Sequence, residues 1–290
     1  MVCTRNRAKE CLFLCRYIDK YFPNSPPIIV VDSSDNPDEL RELERYGGGK
    51  VRVLKSLRGL PRQRNVAIKY AQEASGGNVT LHFIDDDVLP SSAYFGEASR
   101  MLKDKDAATW LGSRDLLLGS ASSASKILML LRLKPKEGKV STAGLCTPPL
   151  AGSQLNDWSP GHSFSLKQIS SGEVFLFEEK IEFFGEDLES SLRFSTLHGP
   201  IACPEKLTVL HVQGERAGTA SFYEEEELKL RFVLSNLLPM RIRRNKVRMQ
   251  LVLETCLLMG LFILTPWRLK IVYNRILVRF RLIWRSFDRF

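Results

Sequence analysis

Strand-like and helix-like patterns alternate four times within the first ninety residues of the chain. Residues 8–22 carry apolar side chains at helical spacing, and Ile28–Val31 is a continuous β-branched run of the kind found in strands buried on both faces. Alternating strands and helices form parallel sheets through right-handed crossovers. The pattern therefore predicts an α/β fold with a mostly parallel sheet, whose ligands would lie beyond the carboxyl ends of the strands.

Three adjacent acids end the fourth predicted strand. The strand itself is the apolar run Val79–Ile84, and it is followed by Asp85, Asp86 and Asp87. Adjacent carboxylates repel one another, so a fold that gathers them at a strand end usually offers them a cation. Oxygen ligands suit Mg²⁺ or Mn²⁺, which in turn suit a phosphate-bearing substrate. A solvated acidic turn after a strand is the alternative interpretation.

Two more polar residues, Thr4 and Asp32, follow the first and second predicted strands and would reach the same edge of the sheet. No GxGxxG motif follows the first strand, and no GxxxxGK[ST] motif occurs in the chain. These absences argue against a dinucleotide-dependent enzyme and a P-loop ATPase.

A second acidic cluster, Glu186 and Asp187, opens a predicted helix after an aromatic turn. Acids in a first helical turn are ordinarily good capping. Beside a first cluster that suits a metal, however, they suggest that one cluster holds a cation and leaving group while the other accepts a proton. His211 ends an alternating strand, where it could be a structural histidine or a ligand.

A loop between these clusters contains Trp158 and Gly161. The glycine suggests a close approach of the backbone to another group. The tryptophan could be a platform for a ring or a buried residue beside a turn, and the sequence leaves both interpretations open.

In this order the features resemble family 2 glycosyltransferases of the GT-A fold. The resemblance covers about residues 1–215, and five segments in the expected order carry it: Thr4–Arg7, Ile29–Ser34, Leu60–Asn65, Phe83–Pro90 and Gly185–Glu189. It implies an α/β GT-A fold, a mostly parallel sheet flanked by helices, and transfer of a sugar from a nucleotide-sugar donor.

The resemblance also implies roles for donor-binding residues. Thr4 and Asp32 match the positions that hold the nucleotide base, and Arg64 matches an arginine that helps to bind the nucleotide. Asp85 matches an aspartate that binds ribose and metal, and we assign Asp86 to the donor site with it.

For the metal and the chemistry, the resemblance implies that Asp85, Asp87 and the late His211 hold Mn²⁺ or Mg²⁺. Asp187 matches the general base on the acceptor hydroxyl, which implies inversion at the anomeric carbon. We assign Trp158, Gly161 and Glu186 to the region that faces the donor sugar and acceptor. The late Gln/Arg-rich tryptophan motif of processive synthases is absent, which favours transfer of a single sugar.

The basic residues are concentrated at the end of the chain. The whole chain has a net charge of +9, but residues 231–290 contain thirteen Lys or Arg and two acids, so residues 1–230 sum to −2. This distribution argues against nucleic acid binding over the body and favours a tail that meets an anionic surface. We therefore predict a catalytic domain at 1–230 and a basic, apolar helical tail at 231–290.

The tail predicts association with a membrane. Residues 251–264 include one charged residue, Glu254, and fourteen residues are short of the roughly 20 needed to span a bilayer. Basic clusters flank this run, and residues 268–290 alternate basic and bulky side chains, as in a helix lying in an anionic lipid interface. We predict attachment through residues 241–290 to the cytoplasmic face, near a glycan or lipid-linked acceptor. A core or dimer helix at 251–264 and full transmembrane insertion of this segment are the alternatives.

The six cysteines form no CxxC pair and no zinc-like cluster, which fits a reducing cytoplasmic setting. Two other classes of function stay open. A sugar-1-phosphate nucleotidyltransferase also uses an α/β sheet and a metal, but Thr4–Lys9 lacks the glycines of its early basic loop. A non-enzymatic basic-tailed protein that binds membrane or nucleic acid would not need the two acidic clusters.

Overall fold

A computed structural model of the chain describes residues 1–46, 50–105, 107–116, 136–140, 149–150, 152–168, 174–181 and 185–212, with residues 249, 252 and 256. Nearly all of them belong to one compact unit, Met1–Lys139 with Thr147–Gly214. The predicted tail at 231–290, with its basic and apolar segments, lies outside the described residues except for those three positions. The predicted domain boundary at 230 stays a prediction.

Nine strands and five helices are formed by the described residues. The strands are β1 (Val2–Thr4), β2 (Ile28–Asp32), β3 (Val51–Lys55), β4 (Val79–Ile84), β5 (Val88–Pro90), β6 (Thr109–Gly112), β7 (Arg114–Asp115), β8 (Ser163–Gln168) and β9 (Thr208–His211). The helices are α1 (Ala8–Tyr21), α2 (Pro37–Tyr46), α3 (Leu60–Ser75), α4 (Tyr94–Leu102) and α5 (Glu186–His198). The predicted alternation of strand and helix up to β4 is confirmed.

The first half of the fold is parallel, as the alternation predicts. The strands β1, β2 and β3 pair in that order and run parallel, with Thr4 opposite Asp32. The strand β4 lies beside β1 and is joined to it through Met1. The Met1 nitrogen donates to the His82 carbonyl (2.6 Å), and the Met1 carbonyl accepts from the Ile84 amide (3.0 Å). That offset is the hydrogen-bond pattern of a parallel pair. The carboxyl ends of β1, β2 and β4 therefore meet at one edge.

The second half of the sheet differs from the prediction of a mostly parallel arrangement. The strand β8 runs antiparallel to both β4 and β6, and β9 pairs antiparallel with β5 and parallel with β7. The partners β4 and β8 are far apart in sequence, and their pairing is antiparallel, unlike that of strands joined by a βαβ crossover. Local periodicity therefore carries no information about this pairing.

Local signals explain where two of the helices begin and end. Pro37 starts α2 with Asp38 and Glu39 in its first turn, and the Asn36 side chain accepts from the Asp38 amide (3.0 Å). Helix α3 ends at Gly76, whose φ of 70° places it in the left-handed region. These local signals set the start of α2 and the end of α3.

An aromatic stack joins the central strands. The Phe164 ring on β8 lies 4.5 Å from Phe83 on β4 and 4.4 Å from Trp110 on β6, measured between ring centroids. The Trp110 indole nitrogen donates to the Ser159 hydroxyl (3.0 Å), so the stack also holds the loop that precedes β8. The core is thereby tied to the segment that carries Trp158 and Gly161.

Among the residues described, no helix combines the length and the apolar character that crossing a bilayer requires.

Replacing Phe164 should destabilise the domain strongly. Its side chain is fully buried, so Phe164→Ala removes the centre of the stack and leaves a cavity that should cost about 3–5 kcal/mol. Phe13→Ala is the matched control, because that ring is 60% exposed and its loss should cost less than about 0.5 kcal/mol. Urea denaturation followed by circular dichroism measures both, and equal losses would contradict the central role of the stack.

Candidate active site

Three strand ends meet at the edge of the sheet that carries the aspartates. The Thr4 hydroxyl at the end of β1 donates to Asp86 Oδ2 after β4 (2.7 Å), and Thr4 lies beside Asp32 in the strand register. The side-chain amide of Gln63 in α3 donates to the backbone carbonyls of Thr4 (2.8 Å) and Val31 (2.7 Å). Thr4, Asp32 and the aspartate triplet are thus close neighbours, as their positions after successive strands predict.

Asp32 is a buried carboxylate at this edge. It accepts from the hydroxyl (2.5 Å) and the amide (3.2 Å) of Ser34. Burial raises its pKa, and the two hydrogen bonds from Ser34 offset part of that rise. The backbone amide of Asn6 donates to the Ser34 hydroxyl (2.7 Å), so this hydrogen bond joins the loops after β1 and β2 next to the Asp32 carboxylate. The result is a preformed polar rim.

Arg7 lies against two of the three aspartates. Its Nη1 atom is 2.8 Å from Asp86 Oδ1 and 3.0 Å from Asp87 Oδ2. Burial raises the pKa of Asp86 to about 6, although the Arg7 charge and the hydrogen bond from Thr4 act in the opposite direction. Arg7 has no predicted role from the sequence, where its place in the Thr4–Arg7 segment is the only signal.

Arg64 connects the two acidic clusters. Only 1% of its side chain is exposed, and its Nη2 donates to the Gly161 carbonyl (2.8 Å) and lies 3.9 Å from Asp85 Oδ1. Its Nη1 lies 3.4 Å from Glu186 Oε1. Burial raises the pKa of Asp85 to about 8, against the nearby Arg64 charge. One buried guanidinium therefore faces a carboxylate from each cluster.

The Glu186–Asp187 pair opens α5 and contacts the loop before β8. Asp187 Oδ2 accepts from the Gly161 amide (3.2 Å), and Oδ1 accepts from the Leu188 amide (2.8 Å). Burial raises the pKa of Asp187. For Glu186, burial and then the Asp187 charge raise the pKa to about 6. Two adjacent acids with raised pKa values, of which Glu186 is buried and Asp187 half-buried, are suited to holding or exchanging a proton.

Gly161 is in close contact with this pair. A Cβ atom at this position would lie 2.8 Å from the Asp187 Cβ and 3.3 Å from both Arg64 Nη2 and Glu186 Oε1. The close backbone approach predicted from the sequence is confirmed. Trp158 lies on the same loop and is buried, with 7% of its surface exposed. Its assignment to the acceptor region stays a prediction.

His211 faces the end of the aspartate triplet. Its Nε2 lies 3.3 Å from Asp87 Oδ1, and its ring stacks on His162 with centroids 5.4 Å apart. The hydrogen bond to Asp87 raises the pKa of His211. Asp115 on β7 lies behind the ring, with Oδ2 3.7 Å from His211 Nδ1. Sequence reasoning missed Asp115, because a single acid on a two-residue strand shows no pattern.

A metal ion would find donors of the right chemistry here. Within the described ranges, no group of three or more His, Cys, Asp or Glu is already arranged to hold an ion. The donor set nevertheless fits a divalent cation, because a carboxylate and an imidazole nitrogen face each other at Asp87 and His211. A carboxylate behind the imidazole, here Asp115, is the usual means of orienting a metal-binding histidine.

Comparisons with known proteins identify the fold. The structure is similar to a mannosyltransferase from Pyrobaculum calidifontis that was solved in complex with GDP-mannose and Mn²⁺. The TM-score is 0.54 and the sequence identity 12%, over 98% of this chain and 86% of that chain. No protein-family model matches the sequence, and no curated protein matches it. At this identity the likeness shows the fold alone, which is α/β and GT-A-like.

Adding a methyl group at Gly161 should disturb the contact between the loop and α5. Gly161→Ala places a carbon 2.8 Å from the Asp187 side chain, and the resulting overpacking should cost about 1–3 kcal/mol. Gly96→Ala in α4 is the control, since nothing lies within 4 Å and the change should stabilise by up to about 1 kcal/mol. Thermal and urea unfolding measure both. A neutral Gly161→Ala would show that this approach is not tight.

Proposed function

We propose that the chain is a family 2, GT-A glycosyltransferase that transfers a single sugar from a nucleotide-diphosphate sugar to an acceptor in a metal-dependent reaction. The observation that carries the proposal is the position of Arg64 between Asp85 and Glu186. Because of this contact, the acidic cluster proposed to hold the cation and leaving group lies beside the cluster proposed to supply the base. The GT-A-like fold supports the same assignment.

The strand-end rim is the proposed donor site. Thr4 and Asp32 would contact the nucleoside, since both are polar, adjacent and held at the carboxyl ends of parallel strands. Arg64 would help to hold the diphosphate, because its buried guanidinium is already oriented by the Gly161 carbonyl. Asp85 and Asp86 would complete the donor site at the end of β4.

Asp85, Asp87 and His211 are the proposed ligands of Mn²⁺ or Mg²⁺. The bound ion would neutralise charge that develops on the diphosphate as the glycosidic bond breaks. The chain's own contribution would be to hold carboxylate and imidazole donors in place before the ion binds. Asp115 and the His162 ring restrict the orientation of His211, which lowers the entropy lost on binding.

Asp187 is the proposed general base. Its Oδ2 is held by the Gly161 amide, and burial raises its pKa, which makes it a stronger base than an exposed aspartate. Removal of a proton from the acceptor hydroxyl would let that oxygen attack the anomeric carbon on the face opposite the diphosphate, with inversion. Glu186, Gly161 and Trp158 would line the region of the donor sugar and acceptor.

The proposed acceptor is a glycan or a lipid-linked molecule in the synthesis of envelope polysaccharide or glycolipid. This part of the proposal rests on the sequence of residues 231–290, whose excess of Lys and Arg and apolar runs suit an anionic lipid surface. The enzyme would then work on the cytoplasmic face of a membrane, as a peripheral or monotopic protein.

A panel of nucleotide sugars tests the reaction. The purified chain is incubated with each donor, Mn²⁺ or Mg²⁺ and candidate acceptors, and release of nucleoside diphosphate is measured. We expect release with one donor class and its loss on chelation of the metal. Release of pyrophosphate from a sugar-1-phosphate and a nucleoside triphosphate would instead identify a nucleotidyltransferase.

Asp187→Asn should separate catalysis from donor binding. The amide keeps the shape of the side chain but cannot accept the proton, so kcat should fall by at least about 10²-fold, while the donor affinity stays within about twofold. Calorimetric titration of the donor and steady-state kinetics measure the two effects. Asp104→Asn, at an exposed position, is the control and should change neither. Lost donor binding in Asp187→Asn would count against its assignment as the base.

Residues 241–290 should bind anionic membranes. We expect the full chain to co-sediment with liposomes that contain phosphatidylglycerol and to remain in solution with neutral liposomes, because Lys and Arg near a surface each contribute about 1 kcal/mol. High salt should release the protein. Equal behaviour with both liposomes, or preferential sedimentation with DNA, would contradict the membrane proposal.

A further inference from the structure

Arg7 is in direct contact with one of the proposed metal ligands, Asp87. Its Nη1 atom bridges Asp86 Oδ1 (2.8 Å) and Asp87 Oδ2 (3.0 Å). The Oδ1 atom of Asp87 faces His211 Nε2 (3.3 Å), so one carboxylate is shared between a guanidinium and a proposed ligand of the ion. A permanent positive charge therefore lies at the same carboxylates that a divalent cation would use.

The Arg7 charge weakens binding of the cation when it binds alone. A divalent ion at Asp87 would add two positive charges within a few ångströms of a fixed guanidinium, and like charges at that distance repel. A nucleotide sugar carries one negative charge on each phosphate of its diphosphate. The ion and the diphosphate together thus add no net charge, and the guanidinium then has phosphate oxygens as alternative acceptors.

Arg7 is also able to move between these acceptors. Its side chain is 35% exposed, in contrast to the fully buried Arg64, so it can rotate without disturbing the core. Its backbone carbonyl accepts from the Cys11 amide (3.0 Å), which anchors the residue at the start of α1 while the side chain turns.

We propose that Arg7 couples metal binding to donor binding: it opposes a divalent cation that binds alone, and it turns to the diphosphate when cation and donor bind together. Both halves of this inference rest on the proposed function, which assigns the metal ligands and the diphosphate, and the contacts of Arg7 are the further observation that they use. By thermodynamic reciprocity, the diphosphate must strengthen metal binding by the same factor by which the metal strengthens diphosphate binding.

A purely structural role for Arg7 makes the opposite prediction. If Arg7 only held Asp86 and Asp87 in place, its loss would loosen the carboxylates and weaken metal binding. Coupling through repulsion predicts that the loss of this charge strengthens it. The sign of the change in Mn²⁺ affinity therefore distinguishes the two roles.

The test measures Mn²⁺ binding to the full chain by electron paramagnetic resonance, with and without inorganic pyrophosphate. We expect the neutral variants Arg7→Gln and Arg7→Ala to bind Mn²⁺ alone on the order of tenfold more tightly than the unmodified chain. Pyrophosphate should strengthen Mn²⁺ binding less in these variants. Arg7→Lys, which keeps the charge, should resemble the unmodified chain.

Arg5→Gln is the matched control. Arg5 lies on the same loop with a similar exposure, but its Nη2 contacts Asp35 (2.6 Å), so its loss should leave Mn²⁺ affinity unchanged. Two neutral variants are compared, and circular dichroism identifies any that fails to fold. Unchanged or weaker Mn²⁺ binding in the folded neutral variants, including no measurable binding, overturns the inference. The donor panel judges the proposed function separately, because sugar transfer could persist with either result.

Discussion

The arrangement of the site depends on the burial of Arg64. A guanidinium taken out of water is costly unless carboxylates and carbonyls surround it, and here Asp85, Glu186 and the Gly161 carbonyl do so. The same carboxylates would repel one another without that charge. The strand end, the loop before β8 and the start of α5 are therefore held together by one cation. The two acidic clusters are separate in sequence but adjacent in space for this reason.

Much of the fold and part of the site could be predicted from the sequence. The alternating pattern indicated β1 to β4 with the helices between them, because each element was specified by residues close to it in the chain. Thr4, Asp32 and the aspartate triplet could be placed together, because parallel strands end at one edge. Gly161 could be recognised as a close approach, but not the groups it approaches.

The remaining features depend on partners that are distant in sequence. Pairing of β8 with β4 and β6 has no local signal, so the antiparallel half was not foreseen. Asp115 matters only because β7 lies beside β9 and thus behind His211. Arg7 could be interpreted as an ordinary loop residue until the distance to Asp86 and Asp87 was known.

The contacts of the loop before β8 with Arg64, Asp85 and Asp187 are made by its backbone. The Gly161 carbonyl and amide bind Arg64 and Asp187, and the His162 carbonyl accepts from the Asp85 amide (2.9 Å). Peptide groups are the same in every residue, so substitutions on either side of the glycine can change what the loop presents without removing these links. Such a loop can carry different side chains in proteins of this fold while its backbone keeps the strand end, the buried guanidinium and the start of α5 in the same arrangement.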